Sequence, residues 1–443
     1  MKFLNYSEKI ERYNHSEINP PQLVRKMDFF LIGVITLSYS GILSFLPMGT
    51  FSHSWVERVF DIVVISYVCL RPKSFDSAQP ILLPTVWMLF YFIFGYLLGE
   101  NSDLVTNSMG KGILVYLPLL FFTGLAIRNQ NQWARMAAVC QFVALGACAV
   151  ILTQAVFPSV LDYTMASVES YSSSGIAFEH NRLSALWMNP NDAALCFSVT
   201  YVLSLWCRPE WLAWAGRLAS VVGILFTVSR TGWLLILIFT IAYMAISYLQ
   251  GRLPSIRIAK RLAIGAIGVV ICAFLLSNSS QSDKVIDYFR TRNIGERFSA
   301  SDVTQSYDNR SSLADYWLNK AVDGPWYGSG LSSFEYGDNY VAGGCHNQFI
   351  MIYGEVGLAG FVTYLLLLGI GIHRACTTPL AKRDRLILLL LWVMILFCHF
   401  KGHAMFDARH YYVIWGLLFT APYVLKLAPP IVSGYPNIMP NER

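Results

Sequence analysis

Several charged residues in this chain stand where a cation is expensive to keep. Arg230 lies in Ser229-Arg230-Thr231-Gly232-Trp233, between two long apolar runs. The turn is too short for an ordinary loop, so the guanidinium sits at or in a membrane boundary. Arginines there often snorkel to water. One held in place needs an anion, and phosphate matches its planar fork of donors. Arg182 precedes another apolar run, whose first turns carry Asn189, Pro190, Asn191 and Asp192. A proline within such a run frees backbone groups that something must satisfy. A kink lined by packed amides would do so as well as a ligand. Arg310 follows Asn309, which is placed to cap a short helix over 310–323 with Leu313, Trp317 and Ala321 along one face. A cation opening that helix opposes its dipole, so solvent or a compensating group is expected there.

His346-Asn347 opens a later apolar run. An unperturbed histidine accepts a proton near neutral pH, although one at a span end is commonly a structural donor. Glu355, in Gly354-Glu355-Val356-Gly357, falls inside that run. A carboxylate in a span is costly and marks a functional site by default; it can equally be the buried partner of an arginine. His399, His403 and Asp407 recur every four residues, which puts them on one helical face with metal-ligand spacing. Lys401 and Arg409 beside them argue against a cation, so no metal site is expected. No Walker loop or dinucleotide fingerprint is present.

The elements that must hold these residues are membrane helices. Of 443 residues, 55% are hydrophobic and 14% charged, and the mean hydropathy is +0.46. A soluble domain carries about a quarter charged residues. This composition excludes a cytosolic enzyme, a secreted domain and a disordered chain. Runs of about 20 apolar residues span a bilayer. Twelve are read, at 29–48, 55–70, 80–98, 112–127, 134–157, 183–206, 211–229, 232–249, 260–277, 346–371, 385–399 and 410–426. They are too long and continuous for barrel strands. No cleavable leader precedes the first run.

The net charge is +6. Its positives are spread among apolar runs, which indicates topology rather than nucleic-acid binding. The N-terminal tail holds Lys2, Lys9, Arg12, Arg25 and Lys26. With that tail inside, Arg128, Arg217, Arg374, Arg383 and Arg385 collect on its side, and both termini are cytoplasmic. Nine cysteines, nearly all in or beside apolar runs, point to no disulfide framework.

The organisation read is therefore a tail at 1–28, helices one to nine over 29–277, a long outer loop at 278–345, helices ten to twelve over 346–426, and a tail at 427–443. Loops above about 15 residues are usually functional or disordered. This one is not low-complexity. Its helix over 310–323, ended by Gly324-Pro325 and followed by Gly328-Ser329-Gly330, suits a membrane surface.

Several of these pieces, in this order, resemble the O-antigen ligase and polymerase family of bacterial membrane proteins. The pieces are Arg182 with Asn189-Pro190-Asn191, Ser229-Arg230 with Gly232, and Arg310 with Trp317, Pro325, Gly328, Gly330 and Phe334. His346-Asn347-Gln348-Phe349, Glu355, Gly357 and Gly360 complete the set. It runs over about residues 182–370.

The resemblance implies a C-type glycosyltransferase fold with its large loop in the periplasm. It implies an inner-membrane enzyme moving a glycan from undecaprenyl diphosphate to an acceptor hydroxyl. The acceptor would be lipid A–core in a ligase, or a growing glycan in a polymerase. No cofactor or metal is implied. Arg182, Arg230 and Arg310 match the arginines that hold the diphosphate, and His346 the histidine near the acceptor; Asn191, Trp317, Asn347 and Glu355 accompany them at the substrate. Two readings from other classes remain: a transporter or lipid flippase, which would show two similar halves around a midplane site, and a purely structural membrane protein.

Overall fold

A computed structural model describes residues 75–99, 103–156, 189–249, 300–334, 345–401 and 409–426, with isolated positions near 32–35 and 183–187. The expected span at 29–48 lies outside these residues apart from isolated positions, and those at 55–70 and 260–277 lie wholly outside. Every described element is helical. Among the described residues, four stretches are long and apolar enough to cross a membrane: Gln79–Leu98, Ser108–Ala126, Gln130–Ala155 and Gln348–Thr377. The chain is a polytopic membrane protein.

The helices are α1 (Phe75–Leu98), α2 (Asp103–Lys111), α3 (Leu117–Ala126), α4 (Gln130–Val156), α5 (Pro190–Leu203), α6 (Glu210–Thr227), α7 (Arg230–Leu249), α8 (Ala300–Asp323), α9 (Gln348–Thr377), α10 (Lys382–Lys401) and α11 (Arg409–Val424). A π turn over Gly112–Tyr116 joins α2 to α3. Helix α5 is buried along nearly its whole length, between α4, α6 and α7. Glycines let backbones approach here: a Cβ on Gly223 would enter the Phe197 ring, and one on Gly216 the Gln141 side chain. Gln141 Nε2 donates to the carbonyls of Ala137 (3.1 Å) and Thr200 (3.0 Å), tying α4 to α5.

Three elements differ from expectation. The span expected at 183–206 becomes helical only at Pro190. At that first position the missing N–H would have had no helical partner, so proline starts this helix rather than kinking it. The chain ahead of it is held differently. Ala185, at φ 54, exchanges two hydrogen bonds with the Gln154 side chain, at 3.1 and 3.2 Å.

Helix α8 begins at Ala300, not at 310, so Arg310 lies well inside it rather than at its N-terminus. Arg310 therefore does not oppose the dipole at a helix N-terminus. The expected end at Asp323 holds, and Trp317 and Ala321 of the expected apolar face are buried.

Helix α9 is two arms. Gly357 has φ 70 and ψ −171 and breaks it. Phe349 and Tyr364 have ring centroids 6.1 Å apart, where a straight helix would separate their Cα atoms by about 22 Å. The short arm, Gln348–Val356, therefore folds back on the long arm. The long arm, Leu358–Thr377, is about 30 Å long and alone has membrane-crossing length.

The helix ends sort into two sets. Arg128 donates to the Leu125 carbonyl at 2.9 Å. Arg383 donates to that of Leu205 at 2.8 Å, and Arg385 to that of Thr378 at 3.1 Å. Arg217 bonds Ser204 at 2.6 Å, and Trp206 bonds Asp384 at 2.9 Å. These residues form one end of the bundle, the end their charge assigns to a single side. The opposite end holds the starts of α5, α7 and α11 and the break in α9.

Candidate functional site

At that opposite end, α5 opens on Asn189, whose side chain accepts the Asn191 N–H at 2.8 Å. The Asn191 side-chain oxygen accepts the Ser229 hydroxyl at 3.0 Å, and Ser229 Oγ faces the Gly232 N–H at 3.4 Å. Between α6 and α7 the chain turns in two residues, Val228 and Ser229. Val228 adopts the left-handed conformation (φ 50, ψ 32), which a β-branched residue holds only under strain. That turn makes Arg230, half-buried, the first residue of α7. Gly232 is required by packing: a Cβ there would lie 2.7 Å from that of Ala194 on α5.

Helix α11 joins the same junction. Tyr411 donates its hydroxyl to Asp192 Oδ1 at 3.3 Å, and the buried His410 brings Nε2 to 4.0 Å from that oxygen. Asp192 sits in the first turn of α5, where the helix dipole favours a negative charge. Three helix N-termini are thus joined through Asn191, Ser229, Asp192 and Tyr411.

The break in α9 is built by the segment after α8. A helix interrupted at Gly357 leaves backbone groups that need partners. The turn Gly324–Phe334 supplies them. Ser329 N–H donates to the Gly354 carbonyl at 2.7 Å, Gly330 N–H to that of Glu355 at 2.9 Å, and Leu358 N–H to that of Trp326 at 2.9 Å. Leu331 N–H reaches the Gly95 carbonyl on α1 at 2.7 Å. Only glycine permits this approach. A side chain on Gly328 (φ 98) would strike the Glu355 carbonyl, and one on Gly357 the Trp326–Tyr327 backbone.

Glu355 is buried within this knot. The Tyr91 hydroxyl donates to Oε2, and the backbone N–H groups of Ser332 and Phe334 donate to the carboxylate as well. Its partners among the described residues are these donors, and no arginine is among them. Trp317 is fully buried, 5.1 Å from Phe334 between ring centroids, with Lys320 Nζ 4.5 Å above its ring. Phe334 in turn occupies the space over Gly354. Trp317 thereby locks α8 onto the break. Leu313 and Ala321 extend the same face, so the aromatic residue expected to meet the membrane surface meets protein.

His346 and Asn347 lead into the short arm. Asn347 caps it, accepting the N–H groups of Phe349 (2.9 Å) and Ile350 (3.3 Å). His346, half-buried, immediately precedes the cap. Cys345 N–H donates to the Phe334 carbonyl at 2.9 Å, and burial pushes its thiol up to about 12. The Phe349 ring lies 4.7 Å from Phe400 and 5.7 Å from His399. The His399 ring lies 6.2 Å from that of Trp415 on α11, one turn beyond Tyr411, which bonds Asp192. The His346 element and the Asn191–Arg230 element therefore occupy the same end of the bundle.

Arg182 lies outside the described residues, as does the side chain of Arg310. Of His399, His403 and Asp407, only His399 is described; its Nδ1 faces the Ile395 carbonyl at 2.6 Å. Among the described residues no group of three or more His, Cys, Asp or Glu has the arrangement to hold a metal ion. Tyr91, His410 and Tyr411 belong to these networks and were not singled out by sequence. Their signal is weak, because Tyr91 and Glu355 are 264 positions apart.

Residues 215–365 match the family model described as O-antigen ligase. The match takes in Arg230, Arg310, Trp317, the Gly328–Gly330 turn, His346, Asn347 and Glu355; Arg182 and Asn191 lie ahead of it. No curated protein matches the chain.

Proposed function

We propose that this chain, a member of the O-antigen ligase and polymerase family through residues 215–365, transfers a glycan from undecaprenyl diphosphate to a hydroxyl of lipid A–core. The reaction belongs to the periplasmic face of the inner membrane in lipopolysaccharide biosynthesis. The acceptor oxygen attacks the anomeric carbon, the bond from that carbon to the diphosphate breaks, and the lipid diphosphate leaves. Arg230 and Arg310, with Arg182, hold the diphosphate and stabilise the charge that develops on it. Preorganised donors of this kind usually supply the largest catalytic contribution. Holding donor and acceptor together supplies much of the rest. His346 takes the proton from the acceptor hydroxyl. Asn191 and Asn347 fix the helix starts that carry these groups, while Trp317 and Glu355 fix α8 and the α9 break behind them.

The observation that carries this reading is the convergence of the starts of α5, α7 and α11 with Arg230 and the His346 arm at one end of the bundle. Backbone N–H groups at helix starts favour anions. A transporter would instead concentrate its polar residues at the midplane.

A repeat-unit polymerase would use the same donor and the same groups. Surface glycans from a strain lacking the gene separate the two. Bare lipid A–core with polymer stranded on its carrier means ligase, core capped by one repeat means polymerase, and an unchanged pattern contradicts both. Complementation with Arg310→Ala or His346→Ala should fail if the assigned roles hold. Near-normal glycan from either variant contradicts that residue's role.

A further inference from the structure

The short arm of α9 carries two buried polar side chains, Gln348 and Glu355, two turns apart on one face. Their surroundings treat them oppositely. Glu355 receives three donors. Gln348 is fully buried, and among the described residues neither its Nε2 nor its Oε1 has a hydrogen-bond partner. A buried amide without partners is costly, and each one in a native protein calls for an explanation. Leucine or methionine would fill the same volume without that cost.

The position supplies the explanation. Gln348 is the first helical residue after the Asn347 cap and lies two residues from His346. Its arm ends at Gly357, which the Gly324–Phe334 turn holds in place. A glutamine offers one acceptor and two donors side by side, the pattern that recognises a sugar hydroxyl. We infer that Gln348 is a positioning residue for the glycan: a change of its side-chain rotamer presents its amide to a sugar hydroxyl held beside His346. This rests on the glycan-transfer reading above. The hydroxyl belongs either to the donor glycan or to the acceptor.

The test compares wild type with Gln348→Met in the full-length protein in nanodiscs. The readouts are kcat and KM for lipid-linked donor and for acceptor, together with the thermal midpoint. The methionine variant should keep or raise the midpoint while KM rises roughly tenfold or more for one substrate only. The substrate whose KM rises identifies the source of the hydroxyl. A lowered midpoint with unchanged kcat and KM for both substrates would mean that the amide serves the fold, and overturns the inference. If the methionine variant fails to fold, the same KM comparison is read on Gln348→Glu, which keeps an acceptor oxygen and loses the donors. Wild-type protein that neither transfers nor binds glycan overturns the functional reading and this inference together; wild-type transfer with unaltered variants overturns this one alone.

Discussion

The two ends of the helix bundle use cations in opposite ways. At one end, arginines meet carbonyls: Arg128 that of Leu125, Arg383 that of Leu205 and Arg385 that of Thr378. Helix C-termini carry partial negative charge, so these contacts are locally favourable. Even the first-turn arginines of α10 reach away from their own helix to do this. At the other end, α5, α7, α11 and the short arm of α9 begin. Arg230 and Arg409 are the first residues of α7 and α11, and His346 precedes the cap of the short arm. There the dipole works against a cation, and an anion between the helix starts reverses the sign for both cation and backbone. The same residue type thus anchors the protein at one end and, in the proposed reaction, binds substrate at the other.

The sharpest way to break this comparison is to remove one arginine from each end. Arg230→Ala should lower the transfer rate by about 10²–10³, the usual cost of losing one preorganised donor. Arg383→Ala should leave the rate within about twofold, because its partner is a helix-end carbonyl at the boundary. Transfer assays on matched amounts of purified protein decide it. Comparable losses from both variants would erase the distinction between the ends.

The next effect is on the break that holds the site. In Gly357→Ala the new Cβ collides with the Trp326–Tyr327 backbone at a φ of 70. That should destabilise by about 2 kcal/mol or more and sharply reduce the monodisperse fraction in detergent. Wild-type yield and thermal midpoint would show that the two arms do not need the glycine.

Glu355→Gln should cost about 1–3 kcal/mol, because an amide N–H₂ replaces an oxygen that accepts from donors. A thermal shift assay reads it, and Tyr91→Phe should move the midpoint in the same direction by less. No loss in Glu355→Gln would contradict the role of the carboxylate as the knot of α1, α9 and the Gly324–Phe334 turn. The smallest effect expected is at the cap: Asn347→Ala should cost about 1 kcal/mol. A larger fall in transfer than in stability would mean that Asn347 also touches substrate.

How much of this was legible in the sequence depends on whether the signal was local. The runs that became α1, α3, α4, α6, α7, α10 and α11 were visible as apolar stretches, because burial in lipid leaves a composition mark that needs no partner. The start of α8 was not. Residues 300–309 read Ala-Ser-Asp-Val-Thr-Gln-Ser-Tyr-Asp-Asn, a polar stretch without an apolar stripe, and Asn309 looked like a cap although it is interior. Pro190 was ambiguous because the apolar residues ahead of it imitate a continuing span. Asn189 followed by proline is also a helix-start signal, and the structure follows that one. Gly357 was visible as a glycine next to an intramembrane carboxylate, but the return of the short arm onto the long one was not. That return depends on Phe349 meeting His399 and Phe400, contacts between distant parts of the chain. The unpaired amide of Gln348 has no sequence signature, since its meaning lies in what fails to surround it.

The central claim is that the end where α5, α7 and α11 begin binds the diphosphate. The most direct measurement is the affinity of full-length protein in nanodiscs for a short-chain polyprenyl diphosphate, in wild type, Arg230→Ala and Arg383→Ala. The account predicts that Arg230→Ala weakens binding by roughly tenfold or more, the scale of a charge-assisted hydrogen bond, while Arg383→Ala binds as wild type does. Equal binding by all three, or a loss confined to Arg383→Ala, would contradict it.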